Sequence, residues 1–569
     1  MVGFAGLSTG APDDARRLRA ALGGGRAARL SERALFCVVG ARDVGLAESD
    51  DGGLAFWGWA TEDGRELSAG ELLERWRRRG PRLLEGLDGE LSIAVRASGE
   101  LHVLRDGVGS RPLYFAELPG GAVAFATAIA PLVRLGAASG ADLDSVVRSL
   151  LLGYVPAPGT AVKGVSQLRP GEVRRLSPRP KGWIHWRLRE RLGPPRPLLE
   201  VARRLDRALD QAVEAALPER GRIGAFLSGG LDSSLVLAKV RARRPVEAFT
   251  LHFGDRLPGE IRYARAVARH LRVPHHVLEL GARQFCDGVE PALAQLEDAL
   301  TEPIAVPNYL LARWASRHVD VLFTGEGGDP LFGGPKNIGL ALAWTYRRHP
   351  GAPSLAEAYL AAHHHLAEDL ERAVAPEALA AFDGEGLVRG LIGPQLGRRA
   401  PGGSFVGTLM VANALLKGGN NILVKVAKMV GAHGLALRSP LFSRRLAELA
   451  FRIPPSQKLW GTEEKIVLKA AVARSLPRSV VERPKRGMAV PLSAWLRGAL
   501  GVLAHDTLTE RAVRRRGIFR WGYVRELLAG KQTPAELARS RWAEKLWIVL
   551  VTELQQQSLD RLARERLRG

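Results

Sequence analysis

The sequence predicts an α/β chain in two unlike parts, an α+β sandwich of antiparallel sheets followed by a parallel sheet wrapped in helices. Three observations carry that prediction. Short, turn-punctuated strands run to about residue 185, a proline-rich break follows at Gly193-Pro194-Pro195-Arg196-Pro197, and strands then alternate with helix-length segments. At 569 residues the chain exceeds what one hydrophobic core serves, and 46% hydrophobic with 25% charged residues describes an ordinary folded protein.

Strand candidates in the first part are residues 34–39, 54–59, 91–95, 101–105 and 123–126, separated by turns such as Asp50-Asp51-Gly52-Gly53. The break places the domains at residues 1–192 and 198–569. Beyond it, residues 223–227, 248–253, 276–280 and 319–324 are apolar strand candidates, and 233–242, 263–271 and 308–317 are the helices between them. Residues 354–416 are rich in alanine and leucine, which predicts an added helical subdomain.

Composition narrows the function classes. Two cysteines, Cys37 and Cys286, lie far apart with no CxxC partner, so neither a disulfide framework nor a cysteine metal site is expected. No signal-peptide pattern and no 18-residue apolar run is present, and the expected location is the cytoplasm, without a membrane partner. The formal charge of +23 could draw nucleic acid, yet the arginines scatter over helical stretches and no aromatic-basic module accompanies them, so a solvated face is the reading. His363-His364-His365 falls on a helical stretch, where consecutive side chains point about 100° apart and do not converge on one ion. Alternation in Phe56-Trp57-Gly58-Trp59 fits a strand filling a core.

The stretch that carries chemistry is Phe226-Leu227-Ser228-Gly229-Gly230-Leu231-Asp232-Ser233-Ser234, an apolar strand passing through small residues into a helix. Such a loop is an anion site. Glycines let the backbone approach a phosphate, serine hydroxyls donate hydrogen bonds, and the helix start offers unpaired N–H groups with a favourable dipole. Asp232 would repel phosphate unless a cation lay between them, which argues for magnesium.

This segment resembles the PP-loop of ATP pyrophosphatases, and nearly the whole chain resembles the class B, glutamine-dependent asparagine synthetases. Phe249-Thr250-Leu251-His252-Phe253 is similar to the family's adenine-contacting second strand, and Glu260 through Ala268 with His275-His276 to its E-x-x-x-A-x-x-V-A helix and trailing histidines. Thr301-Glu302-Pro303 resembles its E-P segment. Gly325-Glu326-Gly327-Gly328-Asp329 with Phe332-Gly333-Gly334 resembles its G-E-G-x-D-E-x-F-G-G loop. Val424-Lys425-Val426-Ala427-Lys428-Met429, Leu437-Arg438-Ser439-Pro440 and Glu464-Lys465 resemble three further stretches in order.

The resemblance implies an Ntn-hydrolase-like α+β sandwich ahead of a PP-loop, adenine nucleotide α-hydrolase-like parallel-sheet domain with added helices. It implies an ATP-dependent ligase that adenylates a carboxylate, releases pyrophosphate, and forms an amide. Carried over by position, Leu227, Ser228, Gly229, Gly230, Asp232, Ser233, Ser234, Thr250, Phe253, Gly325 and Lys428 would bind ATP, and Asp232 and Asp329 would hold Mg2+. Lys465 would sit beside the adenylate and the oxyanion that follows, contributing roughly 3 kcal/mol by analogy with other oxyanion donors. Glu326 would position or deprotonate the amine.

The first part departs from the family pattern. Val2-Gly3-Phe4-Ala5-Gly6 stands where the family begins C-G-I-A-G, although Arg105-Asp106-Gly107-Val108-Gly109-Ser110-Arg111-Pro112-Leu113-Tyr114 is similar to its R-D-x-x-G-x-R-P-L-Y signature. A valine side chain cannot attack a glutamine amide, so the domain is expected to be retained as a scaffold without glutaminase activity. Cysteine loss also marks the ring-closing relatives, β-lactam synthetases and lasso peptide cyclases. Pro330, Ala427 and Ser443 each replace an acidic residue of the family.

The expected partners are therefore a small-molecule or peptide carboxylate and an amine or ammonia, with a homodimer left open. Ammonia-dependent asparagine formation is the alternative within this class. A transfer-RNA-modifying PP-loop enzyme and a nucleotide-sensing scaffold are the alternatives outside it.

Overall fold

The computed structural model describes residues 2–8, 14–22, 28–31, 35–40, 42–137, 140–254, 260–334, 354–362, 365–397, 403–483, 487–530 and 541–566. His363 and His364 lie outside this set, and His365 is packed against Gly153.

The antiparallel strands of the first part are β1 (Gly3–Leu7), β2 (Ala28–Ser31), β3 (Phe36–Val39), β4 (Val44–Ser49), β5 (Gly52–Glu62), β6 (Arg65–Glu66), β7 (Asp88–Ala97), β8 (Glu100–Arg105), β9 (Tyr114–Glu117), β10 (Val123–Ala126), β11 (Val165–Gln167), β12 (Glu172–Ser177) and β13 (Lys181–Ile184). They form two sheets, ordered β11-β9-β10-β1-β3-β2 and β13-β12-β8-β7-β5-β4, with β6 paired to β5.

Period-two alternation decides how these sheets stack. Phe4, Phe36, Val38 and Phe125 of one sheet and Ala55, Trp57, Ala94 and Val103 of the other share a single core. The intervening residues Leu54, Phe56 and Ile93 face the other way, into a cluster with Leu72 and Trp76 of helix α1 (Ala69–Arg79). β5 is thus buried on both faces along nearly its whole length, and it extends well beyond the 54–59 core predicted for it.

The second part is a five-stranded parallel sheet. Its strands β14 (Ile223–Phe226), β15 (Glu247–His252), β16 (His275–Glu279), β17 (Val321–Phe323) and β18 (Ala436–Arg438) are ordered β16-β15-β14-β17-β18. Helix α2 (Leu198–Ala216) precedes them, and α3 (Leu231–Arg241), α4 (Ile261–Leu271) and α5 (Ala305–Ala315) lie among them. Helices α6 (Leu423–Gly431), α7 (Ile466–Val472) and α8 (Trp542–Arg566) follow. Within residues 354–416 the described segments include short helices, Leu355–Ala361, Pro376–Ala381 and Phe405–Asn413. Among the described residues no helix is long and apolar enough to cross a membrane.

Buried ion pairs join the two parts. Arg438 of β18 is 2.6 Å from Asp43 and 3.3 Å from Glu66, and its guanidinium lies over the Trp59 ring. Arg111, from the signature stretch, pairs with Glu90 at 2.9 Å and donates to the Leu437 carbonyl at 3.1 Å. Breaking one partner of such a buried pair costs about 3–5 kcal/mol, so the first part is clamped onto the sheet edge.

Candidate active site

Strand order reverses between β14 and β17, which are hydrogen-bonded neighbours. Helical connections leave to opposite sides at such a point, opening a crevice at the strands' C-terminal ends where α/β sheets receive ligands. The two glycine-rich motifs issue from these two strands. Residues 227–230 carry β14 into α3, and residues 324–329 follow β17.

The first loop is held by its own hydroxyls. Gly229 has φ +75°, in the left-handed region, and a Cβ there would stand 2.6 Å from the Ala264 nitrogen. Ser228 and Ser233 face each other, Oγ to Oγ 3.1 Å, with the Ser228 N–H donating to Ser233 Oγ and the Gly230 N–H to Ser228 Oγ. Both side chains are half-buried. Ser234 is fully buried and donates to the Gly230 carbonyl at 2.7 Å, so its hydroxyl braces the first turn of α3.

The strand below supports the loop. Leu227 puts its side chain in the core, donates its N–H to the Phe249 carbonyl, and accepts the Thr250 hydroxyl at 2.6 Å on its own carbonyl. Having donated its proton, the Thr250 oxygen accepts from His275 Nε2 at 2.7 Å. Phe253, at the strand's end, packs edge-on against Trp495 with ring centroids 5.5 Å apart.

The second loop closes against the first. A Cβ on Gly325 would lie 2.4 Å from the Ser233 nitrogen, and one on Gly328 would strike the Asp232 carboxylate at 2.1 Å, so these two positions accept only glycine. Asp232, in the first turn of α3, is buried, and Asp329 is about half exposed. Lys465 joins them, its Nζ 2.5 Å from Asp232 Oδ2 and 2.5 Å from Asp329 Oδ1. It is 2% exposed and adopts φ +55°, a conformation disfavoured for a residue with a Cβ. Strain of this kind concentrates at functional sites. Glu326, half-buried, lies on the turn between these glycines.

Arg483, which sequence reasoning missed, belongs to this corner. Its guanidinium donates to the Gly229 carbonyl at 3.2 Å, pairs with Glu260, and lies 4.1 Å over the Tyr263 ring. Glu260 opens the segment matched to the family's E-x-x-x-A-x-x-V-A helix, so a half-buried glutamate at a helix start was the available signal.

Lys428, expected at the nucleotide, is placed elsewhere. Its ammonium donates to the Leu296 carbonyl at 2.7 Å, pairs with Glu297 at 3.3 Å, and lies over the face of the Tyr114 ring. Helix α6 turns this residue toward the first part instead. There Lys428, Ala427 and Gly431 line a cavity of about 20 Å³ with Val2, Trp57 and Thr127. Burial raises the pKa of Cys37 and of Cys286 above the ordinary thiol value.

A glycine-serine anion loop at the switch point of a parallel sheet, clamped to an antiparallel sandwich, is the build of an ATP-dependent amide-forming ligase. Comparison with known proteins is more specific. Residues 204–560 match the family model for asparagine synthase, and residues 67–181 match that for a glutamine amidotransferase domain. The chain belongs to the asparagine synthetase family. A provisionally named glutamine-hydrolyzing asparagine synthetase of Mycobacterium tuberculosis (strain ATCC 25618 / H37Rv) is 27% identical over 530 residues, 86% of this chain and 78% of that one. Glutamine-hydrolyzing asparagine synthetase 1 of Bacillus subtilis (strain 168) is 23% identical over 484 residues, covering 79% and 74%.

Proposed function

We propose that the chain adenylates a carboxylate with ATP and passes the activated acyl group to an amine or ammonia, with no glutaminase of its own. The observation that carries this reading is the Asp232–Lys465–Asp329 cluster beside the loop at the switch point. In the reading, residues 198–569 perform the reaction and residues 1–192 serve as scaffold.

A carboxylate oxygen of the substrate attacks the α-phosphorus of ATP, and the bond to the β-phosphate oxygen breaks to release pyrophosphate. The N–H groups at the start of α3, with Ser228, Gly229, Gly230 and Ser233, hold the phosphates, and Arg483 adds positive charge behind the loop. The amine nitrogen then bonds to the acyl carbon, AMP departs with the electron pair of the acyl–oxygen bond, and Glu326 takes the amine proton. Lys465 stabilises the oxyanion formed on the way. Gly325 keeps the second loop close enough for these groups to meet.

The donor set suits Mg2+. Asp232 and Asp329 offer hard oxygens and already share one cationic group, so the space between them accepts positive charge. These two residues would hold the ion, which when bound neutralises charge on the departing pyrophosphate.

Loss of glutamine hydrolysis is supported by Val2, which has no nucleophile, and by the small cavity of about 20 Å³ beside it, room for about one water molecule. Loss of family acids at Pro330 and Ser443 favours an acceptor other than aspartate, small or peptide, including one that closes a ring on its own amine. The relatives are named glutamine-hydrolyzing asparagine synthetases, which favours asparagine as the product of a second reading; with Val2 in place of the nucleophile, free ammonia supplies the nitrogen in that reading.

Pyrophosphate release separates these readings. The chain is expected to release pyrophosphate with one member of a panel containing aspartate plus ammonia and carboxylate-bearing peptides, and Asp232→Ala to abolish the signal. Binding of ATP without release on any substrate would overturn the enzyme reading in favour of a nucleotide sensor, and stoichiometric glutamate release from glutamine would overturn the scaffold role.

A further inference from the structure

The end of the parallel sheet away from the nucleotide loop holds a second cluster of ligating groups. Glu247 is the first residue of β15 and lies level with Gly224, four residues before Ser228, which sets it roughly 13 Å from the loop along the strands. Alternation along β15 puts Glu247 and Phe249 on one face. The parallel register pairs His276 of β16 with Phe249, and the two rings stack at 4.9 Å with planes 12° apart. His318, on the turn between α5 and β17, completes the group, with its ring 4.6 Å from that of His276.

The three side chains each offer one ligand atom, and these atoms all lie within 4.8 Å of one another. His276 Nε2 is 2.8 Å from Glu247 Oε2. Trp314 packs edge-on to both imidazoles, at 5.7 and 5.9 Å, and with Phe249 forms an apolar wall that limits where the rings can turn. All three ligand residues are half-buried, so an ion from solution can reach them.

We propose that Glu247, His276 and His318 form a binding site for a borderline divalent transition metal of the Zn2+ type, separate from the nucleotide site. Two imidazole nitrogens and one carboxylate oxygen suit zinc in a four-coordinate site whose last place is taken by water. The all-oxygen preference of magnesium and calcium disfavours them. Ligand atoms about 2.1 Å from a tetrahedral ion stand roughly 3.4 Å apart, so the Glu247–His276 pair opens slightly from 2.8 Å and His318 draws in by about 1 Å, within the reach of half-buried side chains. On binding, the ion replaces the hydrogen now shared by Glu247 and His276, and any proton on the imidazoles is released to water. The site would tie the turn after α5 to the starts of β15 and β16, three points far apart in sequence.

The test uses the full chain, stripped with chelator and kept in excess Mg2+ so that Asp232 and Asp329 do not compete, and equilibrated with ZnSO4 and separately with CoCl2. The wild type is expected to hold about one Zn2+ per chain and to give with Co2+ the intense visible absorption of a tetrahedral nitrogen-oxygen site. His318→Ala and Glu247→Gln should each weaken binding about tenfold or more, while His505→Ala, on an exposed helix elsewhere, should bind as wild type. Circular dichroism and pyrophosphate release report whether the variants keep their fold. The proposal is overturned if the wild type takes up no Zn2+ at micromolar free ion, if its Co2+ spectrum is the pale one of an octahedral aquo complex, or if both ligand variants bind as wild type does. The carboxylate, imidazole and ring stack would then be a hydrogen-bonded cluster without an ion.

Discussion

The Lys465 ammonium lies 2.5 Å from the Asp232 carboxylate across 233 residues of chain, and the same nitrogen contacts Asp329 at equal distance. A buried cation between two carboxylates beside the glycine-serine loop balances the charge of that corner. Lys465 and Asp232, both buried, depend on each other for compensation, because breaking a buried charge pair is costly.

Replacing Lys465 should therefore affect activity more than fold. Lys465→Ala is expected to lower the rate of amide formation by on the order of 10²–10³-fold. The same variant should lower the melting temperature, since Asp232 loses its buried partner. Asp329→Asn, at a half-exposed position, should lower activity with a smaller thermal shift. Steady-state kinetics on the substrate found by pyrophosphate screening, beside thermal melts, would check both.

Restoring a thiol should not restore glutamine hydrolysis. Val2→Cys supplies the missing atom, but the neighbouring cavity, lined by Trp57, Lys428 and Gly431, measures only about 20 Å³. Glutamate release is expected to stay at background. Hydrolysis by this single variant would show that the scaffold retains a working pocket.

Glu302 makes a prediction about acid stability. Burial alone would raise its pKa, but Lys417 at 2.8 Å and Lys425 outweigh burial and hold the carboxyl well below the ordinary range. A depressed carboxyl stabilises the fold above the unfolded pKa, about 4.3, and loses that contribution as pH falls through the folded value. Glu302→Gln is expected to cost about 3–5 kcal/mol near neutrality. The gap to wild type should narrow below about pH 4, measured by denaturant titration across pH.

Lys458 works in the opposite sense. Burial lowers its pKa to about 7, with Glu190 opposing the shift, and its Nζ lies 4.6 Å from the centre of the Phe451 ring. Between that value and the unfolded pKa of about 10.4 the unfolded chain binds more protons, so stability rises with pH across the window. Wild type should therefore gain stability relative to Lys458→Met between pH 7 and pH 10. A gap independent of pH would mean that Lys458 keeps its proton on folding.

The sequence showed the architecture wherever local pattern and burial agreed. β10 matched its predicted span, and β14, β15 and β16 were each found within a residue at either end. Agreement came from apolar runs bounded by glycine or proline, which read the same in the chain and in the fold. β18 was not recognised as a strand, because Ala436–Arg438 is three residues long and has no period to detect. Its pairing with β17 and the Asp43–Arg438 bridge define it instead.

At the candidate site, the residues whose role is local were legible in the chain. The glycines and serines of 228–233 act through their own backbone, and a short motif contains all of that information. What Lys428, Ser234 and Arg483 do was decided by tertiary structure alone. A long cation binds whichever carboxylate or carbonyl the fold brings within reach, and a hydroxyl one position along a helix turns by about 100°, from the crevice to the core. Sequence thus determined which chemical groups this protein carries and where its glycine-serine loop lies, and packing determined which of those groups meet, since contact between residues hundreds of positions apart is set by the core that holds them together.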